Sequence, residues 1–498
     1  MNTNLPLSAL ILGLGILLAP PHAASDGLPA LGESSQADVS PAMERRIGEK
    51  IMHEIRRDPT WLDDAEIDAY LNRLGSRLAA HSEGARQDFE LFALRDPTLN
   101  AFAMPGGYIG VHSGLILAAE SESELASVLA HEISHVTQHH MARSVGVQGQ
   151  SQMAAMVAMA LALLASRSSS DLAIGAAMVG QAVGIQNQLN YSRDFEREAD
   201  RLGLTVLERA GFDIRGMNSF FERMLKFGRL YENNAPGYLR THPLTTERMA
   251  DLGNRIQGRP YKQVADSLDF LLVRAKLRSQ LGTPQEAVTD FLSRLENETK
   301  ATAATTGRTV AWRYGLVLSQ MRAGNFTAAQ QGIDELRRLK ESPHTVSPLL
   351  ETTAAQLRLK QGDAPGAVHI LRAAQSRYPQ ERAVAYGLVE ALLAAGTPAE
   401  ALRVASDDLA SYAADGRMHG LQAKTYAMLG QRLQQHRAQA EAYALQGQLS
   451  AAIEQLHLAQ KAGDGNFYEQ SQVDARLREF RKRMDEAKLL KKTGKGGG

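Results

Sequence analysis

Residues 131–140 read HEISHVTQHH, four histidines and one glutamate in ten positions. The chain contains no cysteine, so imidazoles and carboxylates are the side chains left to hold a transition-metal ion. On a helix, residues four apart lie about 40° out of register and ~6 Å along the axis. His131 and His135 can therefore grip one ion between them, with Glu132 beside them in reach of a water. A third, later histidine would need the helix to bend away at a glycine. Gln138 stands where that glycine would be and Met141 where that histidine would be, so His139 and His140 are expected to be bystanders.

The rest of the coordination sphere must come from elsewhere. The best candidate is EREAD, residues 196–200. Glu196 and Asp200 are four apart on a second helical segment and face the same way. Glu196 can coordinate the ion, and Asp200 can accept the N–H of a ligand histidine and fix its tautomer. The bland alternative is a solvated, charge-rich helix face. Three protein ligands, His131, His135 and Glu196, leave one position for water, the mark of catalytic zinc, one ion per chain. With such an ion present, Glu132 is expected to be the general base of a peptide-bond hydrolysis that forms no covalent intermediate.

RTHPLTTER, residues 240–248, adds one more histidine. Pro243 disfavours helical geometry at His242, which is expected on a loop. Two roles compete. His242 could stabilise the oxyanion of the tetrahedral intermediate, with Arg248 alongside. Alternatively it could fill the open metal position as a fourth ligand and keep the enzyme latent. The second is the expectation carried forward.

Two amphipathic helices are expected between Pro41 and about Ser82. DFELFALRD (88–96) alternates like a strand. NAFAMPGGYIGVHSGLI (100–116) reads as strand, Pro-Gly-Gly turn and a second strand, Tyr108–Val111. That second strand is the expected edge on which an extended substrate adds. The motif helix starts at Ser121, with Glu124 completing a capping box. EREAD sits on a helix that Ser192 can cap and Gly211 can end.

Residues 152–184 are rich in Ala, Met, Ser and Gly. Their longest uncharged apolar stretch, Ala154–Ala165, is short of the ~20 residues a membrane span needs, so a soluble helical or lid segment is expected there. After about residue 265 the texture becomes Ala-rich helical pairs. Gly362, Gly396 and Gly430 are spaced at the 34-residue period of tetratricopeptide (TPR) repeats.

At the other end, Leu5–Leu18 is an apolar run followed by small residues at Ala23 and Ala24, which reads as an export signal over 1–24. An uncleaved anchor is the alternative. Fifty-five basic and fifty-five acidic residues balance, which argues against nucleic acid as a partner.

NAFAMPGGYIGVHSGLI, HEISH, EREAD and THPLTTER, in this order, resemble the HtpX-like gluzincin peptidases. With the signal-like start and the repeats, the chain is similar over roughly 40–485 to the BepA (YfgC) group of that family. The resemblance implies a mainly α fold with a small β-sheet, in which a gluzincin-type α+β zinc metalloprotease domain (41–260) precedes a TPR α-solenoid (265–485). A flexible leader (25–40) and a disordered basic, Gly-rich tail (486–498) flank them. It implies Glu196 as third zinc ligand and Glu132 as the catalytic residue. It further implies a periplasmic endopeptidase with chaperone-like activity. Its substrates would be misfolded or stalled outer-membrane proteins, and its partner the barrel-assembly machinery, bound through the repeats, with peripheral membrane association. The competing readings are a TPR binding protein with a latent peptidase, and a membrane-embedded protease that uses 152–184 as spans.

Overall fold

The structure, a computed structural model, describes residues 40–83, 88–145, 193–230, 237–301, 306–338 and 347–493. The expected signal, most of the leader, the apolar segment 152–184 and the Ser192 cap lie outside the described residues. Among those described, no helix is long and apolar enough to cross a membrane.

Among the described residues the chain is mainly α-helical with one three-stranded sheet. Helix α1 (Pro41–Ile55) is capped by Ser40, and α2 (Ala65–Ala79) by Asp64, whose carboxylate accepts the N–H groups of Glu66 and Ile67. Strands β1 (Glu90–Leu94), β2 (Ala101–Met104) and β3 (Tyr108–His112) follow. Their order is β1-β3-β2, with β1 parallel and β2 antiparallel to β3. The strand expected at the edge, Tyr108–Val111, is therefore the central one. The reason lies in the two connections. The tight turn at Gly106–Gly107 pairs β2 with β3 on one side, and β1 takes the other side.

Helix α3 (Ser113–Ala118) leads to α4 (Glu122–Thr137), the motif helix, on which every residue from Glu122 to Val136 is buried. Ser121 accepts the Glu124 N–H as expected, but the Glu124 side chain reaches the N–H of Glu120 (2.6 Å) instead of closing the box. A short α5 (His140–Val145) follows, then α6 (Arg193–Arg209), α7 (Arg215–Leu230), α8 (Gly237–Thr241) and α9 (Thr246–Ile256). Helix α6 crosses α4 at close range. A Cβ on Gly203 would come within 3.1 Å of the His131 backbone nitrogen, so the absence of a side chain there lets the two motif helices touch.

Among the described residues, twelve further helices run from α10 (Leu268–Ser279) to α21 (Phe467–Thr493). Among them are α14 (Pro348–Lys360), α15 (Ala364–Arg377), α17 (Pro398–Ser411), α19 (Arg432–Leu445) and α20 (Leu449–Gln460). Gly362 and Gly396 end their helices at φ +82° and +72°, a conformation that disfavours a side chain, which explains their periodicity. Ala367 and Ala401 are fully buried and Ala374 nearly so. The last helix continues to Thr493, into the segment expected to be a disordered tail.

Among the described residues, one hydrophobic core takes side chains from both halves of the chain, between Leu62 and Leu421, and the last repeats pack around a smaller core of their own from Leu433 to Phe480. Polar ties reinforce the larger one. Lys276 Nζ lies 2.6 Å from Asp64 and 2.5 Å from Glu66, and Thr352 Oγ1 donates to Glu66. Arg73 pairs with Asp269 at 2.7 Å and with Glu381. Ser267 Oγ donates to Glu122 at 2.7 Å. Near the C-terminal end, Gly447 lies against the His53 ring on α1, leaving no room for a Cβ.

Candidate metal centre

Helix α4 points His131, Glu132 and His135 towards α6 and the segment after α8. His131 Nε2 and His135 Nε2 lie 3.0 Å apart. Glu196 places Oε2 3.5 Å from His131 Nε2 and Oε1 3.5 Å from His135 Nε2. His242 Nδ1 lies 2.9 Å from Glu196 Oε1. All four side chains are buried, and each offers a ligand atom within 4.8 Å of those of the other three.

The donor set fits a divalent cation. Ligand atoms around a tetrahedral zinc ion are about 3.3 Å apart, given bonds of about 2.0–2.1 Å. The protons are also in the right place. His131 Nδ1 is 3.0 Å from Asp200 Oδ1, so it carries the proton and Nε2 turns its lone pair inward. The charge balance points the same way. Burial alone would lower the His131 pKa, yet Asp200 and Glu196 push it up to about 9. Without a metal, the carboxylates draw a proton into the site. Burial holds His135 well below its ordinary value, which favours the neutral, ligating imidazole.

A backbone N–H holds one carboxylate, and a shared guanidinium holds the other two. Glu132 accepts the Ala103 backbone N–H at 3.1 Å through Oε2, and its Oε1 lies 3.6 Å from His242 Nε2. Burial raises its pKa, as suits a proton acceptor. Burial would raise Glu196 too, but the His242 and His131 imidazoles hold it well below the usual carboxylate range. Arg248 grips Asp200 through Nε at 2.6 Å and a terminal nitrogen at 2.8 Å. Its other terminal nitrogen lies 2.7 Å from Glu196 and donates to the Pro243 carbonyl at 2.8 Å. The guanidinium is thus committed to fixing both carboxylates and the His242 turn.

His242 comes directly after α8, as the proline demanded, and is 1 % exposed. Its ring stacks on Tyr238 at 4.7 Å. The Tyr238 hydroxyl is buried and has no hydrogen-bond partner among the described residues. Nothing in the sequence pointed to Tyr238 beyond its place four residues before His242.

His140 is not a bystander to the site. Its Nδ1 lies 2.8 Å from His135 Nδ1, its Nε2 3.1 Å from Glu198, and its ring stacks on Phe195. The chain turns at His139, which adopts φ +49°, and folds α5 back onto His135. A glycine was the signal sought for such a bend, and a histidine makes it here. His139 itself faces Glu44 at 3.9 Å.

Similarity to known proteins agrees with this chemistry. The profile of Peptidase family M48 matches residues 65–256, and that of the tetratricopeptide repeat matches residues 358–425. The beta-barrel assembly-enhancing protease of Escherichia coli K12 is 32 % identical over 482 residues, 95 % of each chain. A Vibrio cholerae protein provisionally given the same name is 36 % identical over 317 residues, and only 64 % of its own length is matched. The mitochondrial metalloendopeptidase OMA1 of Schizosaccharomyces pombe is 30 % identical over 181 residues, 36 % of this chain and half of that one.

Proposed function

Since the chain belongs to peptidase family M48, together with the beta-barrel assembly-enhancing proteases, and is a metalloendopeptidase, we propose that its metal is zinc, held by His131, His135 and Glu196. The observation that carries this reading is the buried cluster of His131, His135, Glu196 and His242, with Glu132 anchored beside it. A zinc ion there would supply Lewis acidity towards a water and the scissile carbonyl. Glu132 takes the proton from that water and returns it to the leaving amine. Asp200 and Arg248 keep His131 and Glu196 in place.

Strand β2 gives the substrate its track. The Ala103 N–H reaches Glu132 on α4, so that edge of β2 faces the site. An extended chain adding to β2 would pass between the sheet and the cluster.

His242 supports a latent ground state. As a buried member of the four-residue cluster, it stands where a fourth ligand would exclude water. A substrate or partner would then have to displace the segment after α8. The alternative, an oxyanion donor, predicts the opposite response to its removal.

The names of the relatives and the repeat half support outer-membrane β-barrel proteins as clients, the barrel-assembly machinery as a partner docked on the repeats, and a periplasmic location. The test is metal analysis of the purified protein, paired with cleavage of an unfolded outer-membrane protein. One equivalent of zinc, with cleavage abolished in Glu132→Gln, is expected. A metal-free protein that still cuts would overturn the reading.

A further inference from the structure

Two buried polar atoms near the His242 ring have no hydrogen-bond partner among the described residues. One is an acceptor, Glu132 Oε1, and the other is the Tyr238 hydroxyl. Glu132 Oε1 lies 3.6 Å from His242 Nε2. The Tyr238 ring stacks on His242, 30° from parallel, and its centroid is 6.1 Å from that of His131. Its side chain is fully buried. Burial, then the charges of Glu132 and Glu196, push the phenol well above its ordinary pKa, so the hydroxyl keeps its proton and is a donor. A buried donor with no acceptor forfeits the hydrogen bond it made with water. Packing alone would be served equally well by phenylalanine, the residue at Phe221, 6.2 Å away.

Tyr238 is anchored independently of His242. Its backbone N–H donates to the Leu99 carbonyl at 3.1 Å, and a Cβ on Gly237 would touch the Asn100 side chain. Leu99 and Asn100 lead directly into β2, so the phenol is held against the strand on which a substrate would add. His242 lies past the end of α8, next to Pro243. Displacing it breaks its own N–H bond to the Tyr238 carbonyl, 2.7 Å, and leaves the Leu99 anchor intact. Arg248 is already committed to Asp200, Glu196 and the Pro243 carbonyl. The phenol hydroxyl is not committed.

We propose that Tyr238 is a further catalytic residue: once a substrate displaces His242, its hydroxyl donates a hydrogen bond to the oxyanion formed when water adds to the scissile carbonyl. The water oxygen bonds to the carbonyl carbon, and the π pair moves to the carbonyl oxygen. Glu132 takes the water's proton and gives it to the amine as the C–N bond breaks. The phenol keeps its own proton throughout and acts only on the charge that develops. The proposal rests on the peptidase reading above.

The test is Tyr238→Phe, which keeps the ring and its stack and removes only the hydroxyl. The zinc-loaded full chain is assayed on fluorescein-labelled casein, in the wild-type and His242→Ala backgrounds. In each background that cuts, Tyr238→Phe should lower kcat by about 10²-fold, with KM and zinc content unchanged. Because the hydroxyl bonds nothing in the resting protein, Tyr238→Phe should melt no lower than wild type. An unchanged kcat would overturn the proposal. So would a Tyr238→Phe protein that loses zinc or melts lower, since the hydroxyl would then serve the fold. A zinc-loaded His242→Ala protein that is inactive beside a cutting wild type would assign the oxyanion to His242 and overturn it too. Absence of cutting in both backgrounds with zinc bound would overturn the peptidase reading, and this role with it.

Discussion

The imidazole of His140 backs that of His135, nitrogen to nitrogen at 2.8 Å, and Glu198 holds the other side of His140 at 3.1 Å. With the proton of His140 on Nε2, facing Glu198, its Nδ1 accepts from His135 Nδ1–H. The Nε2 lone pair of His135 then points at His131 and Glu196. This chain orients the proposed ligand His135 through a histidine, where a carboxylate is the commoner choice. His140→Phe keeps the stack on Phe195 but removes the acceptor. It should weaken zinc binding about 10- to 100-fold in a chelator competition while the fold is retained. Wild-type zinc affinity in His140→Phe would refute the relay.

Ligands and base should separate cleanly. His131→Ala, His135→Ala and Glu196→Ala are expected to lose zinc, whereas Glu132→Gln keeps it and loses hydrolysis. His139→Ala should bind metal normally. Elemental analysis beside a protein-cleavage assay reads both quantities. Stoichiometric zinc in His135→Ala would refute the assignment.

Removal of His242 decides between restraint and catalysis. His242→Ala is expected to raise basal proteolysis, with self-cleavage, and to retain zinc through three protein ligands. If His242 were an oxyanion donor, the rate would instead fall by about 10²-fold or more. An inactive, zinc-loaded variant would establish the second role.

Glu44 makes stability depend on pH with an unusual sign. Its carboxyl titrates at about 6 in the fold against 4.5 in an ordinary setting. Folding therefore favours its protonated form. The associated stability is fully present below pH 4.5 and is lost as the pH rises through 6. Glu44→Gln should melt at a higher temperature than wild type at pH 7.5, by at most about 2 kcal/mol before allowance for solvent screening. The difference should vanish near pH 4. A wild-type protein that is the more stable at pH 7.5 would contradict this.

Ala367 and Ala401 should not tolerate bulk. Ala367→Leu places extra methylenes in a filled helix contact, at a cost of about 1–3 kcal/mol. Because one core joins the peptidase half to the repeats as far as Leu421, zinc release and loss of helicity in those repeats should occur at one temperature in a thermal melt. Separate transitions would show two independent units.

How much of this the sequence discloses depends on range. His131, Glu132 and His135 are legible because a helix turns fixed spacing into fixed geometry. Glu196 and Asp200 are legible because their spacing repeats that logic. The rank of Tyr108–Val111 within the sheet was misjudged, since alternation reveals a strand but not its neighbours. His140 was missed because a left-handed residue other than glycine makes the bend at His139. The repeat period showed in Gly362 and Gly396, where backbone conformation dictates the residue. The seam of Lys276 with Asp64 and Glu66 left no local trace, because its partners are far apart in the chain.

That seam also sets a clock. Thr352 bonds Glu66 across 286 positions, and Arg73 meets Glu381 across 308. Helix α2, which bears Glu66 and Arg73 and supports α4, meets Thr352 and Glu381 only when the first half of the repeat helices has emerged. A nascent chain that ends before α16 (Arg382–Ala394) lacks the surface that finishes the peptidase. A product truncated before Thr352 would leave Glu66 and Arg73 of α2 without these distant partners.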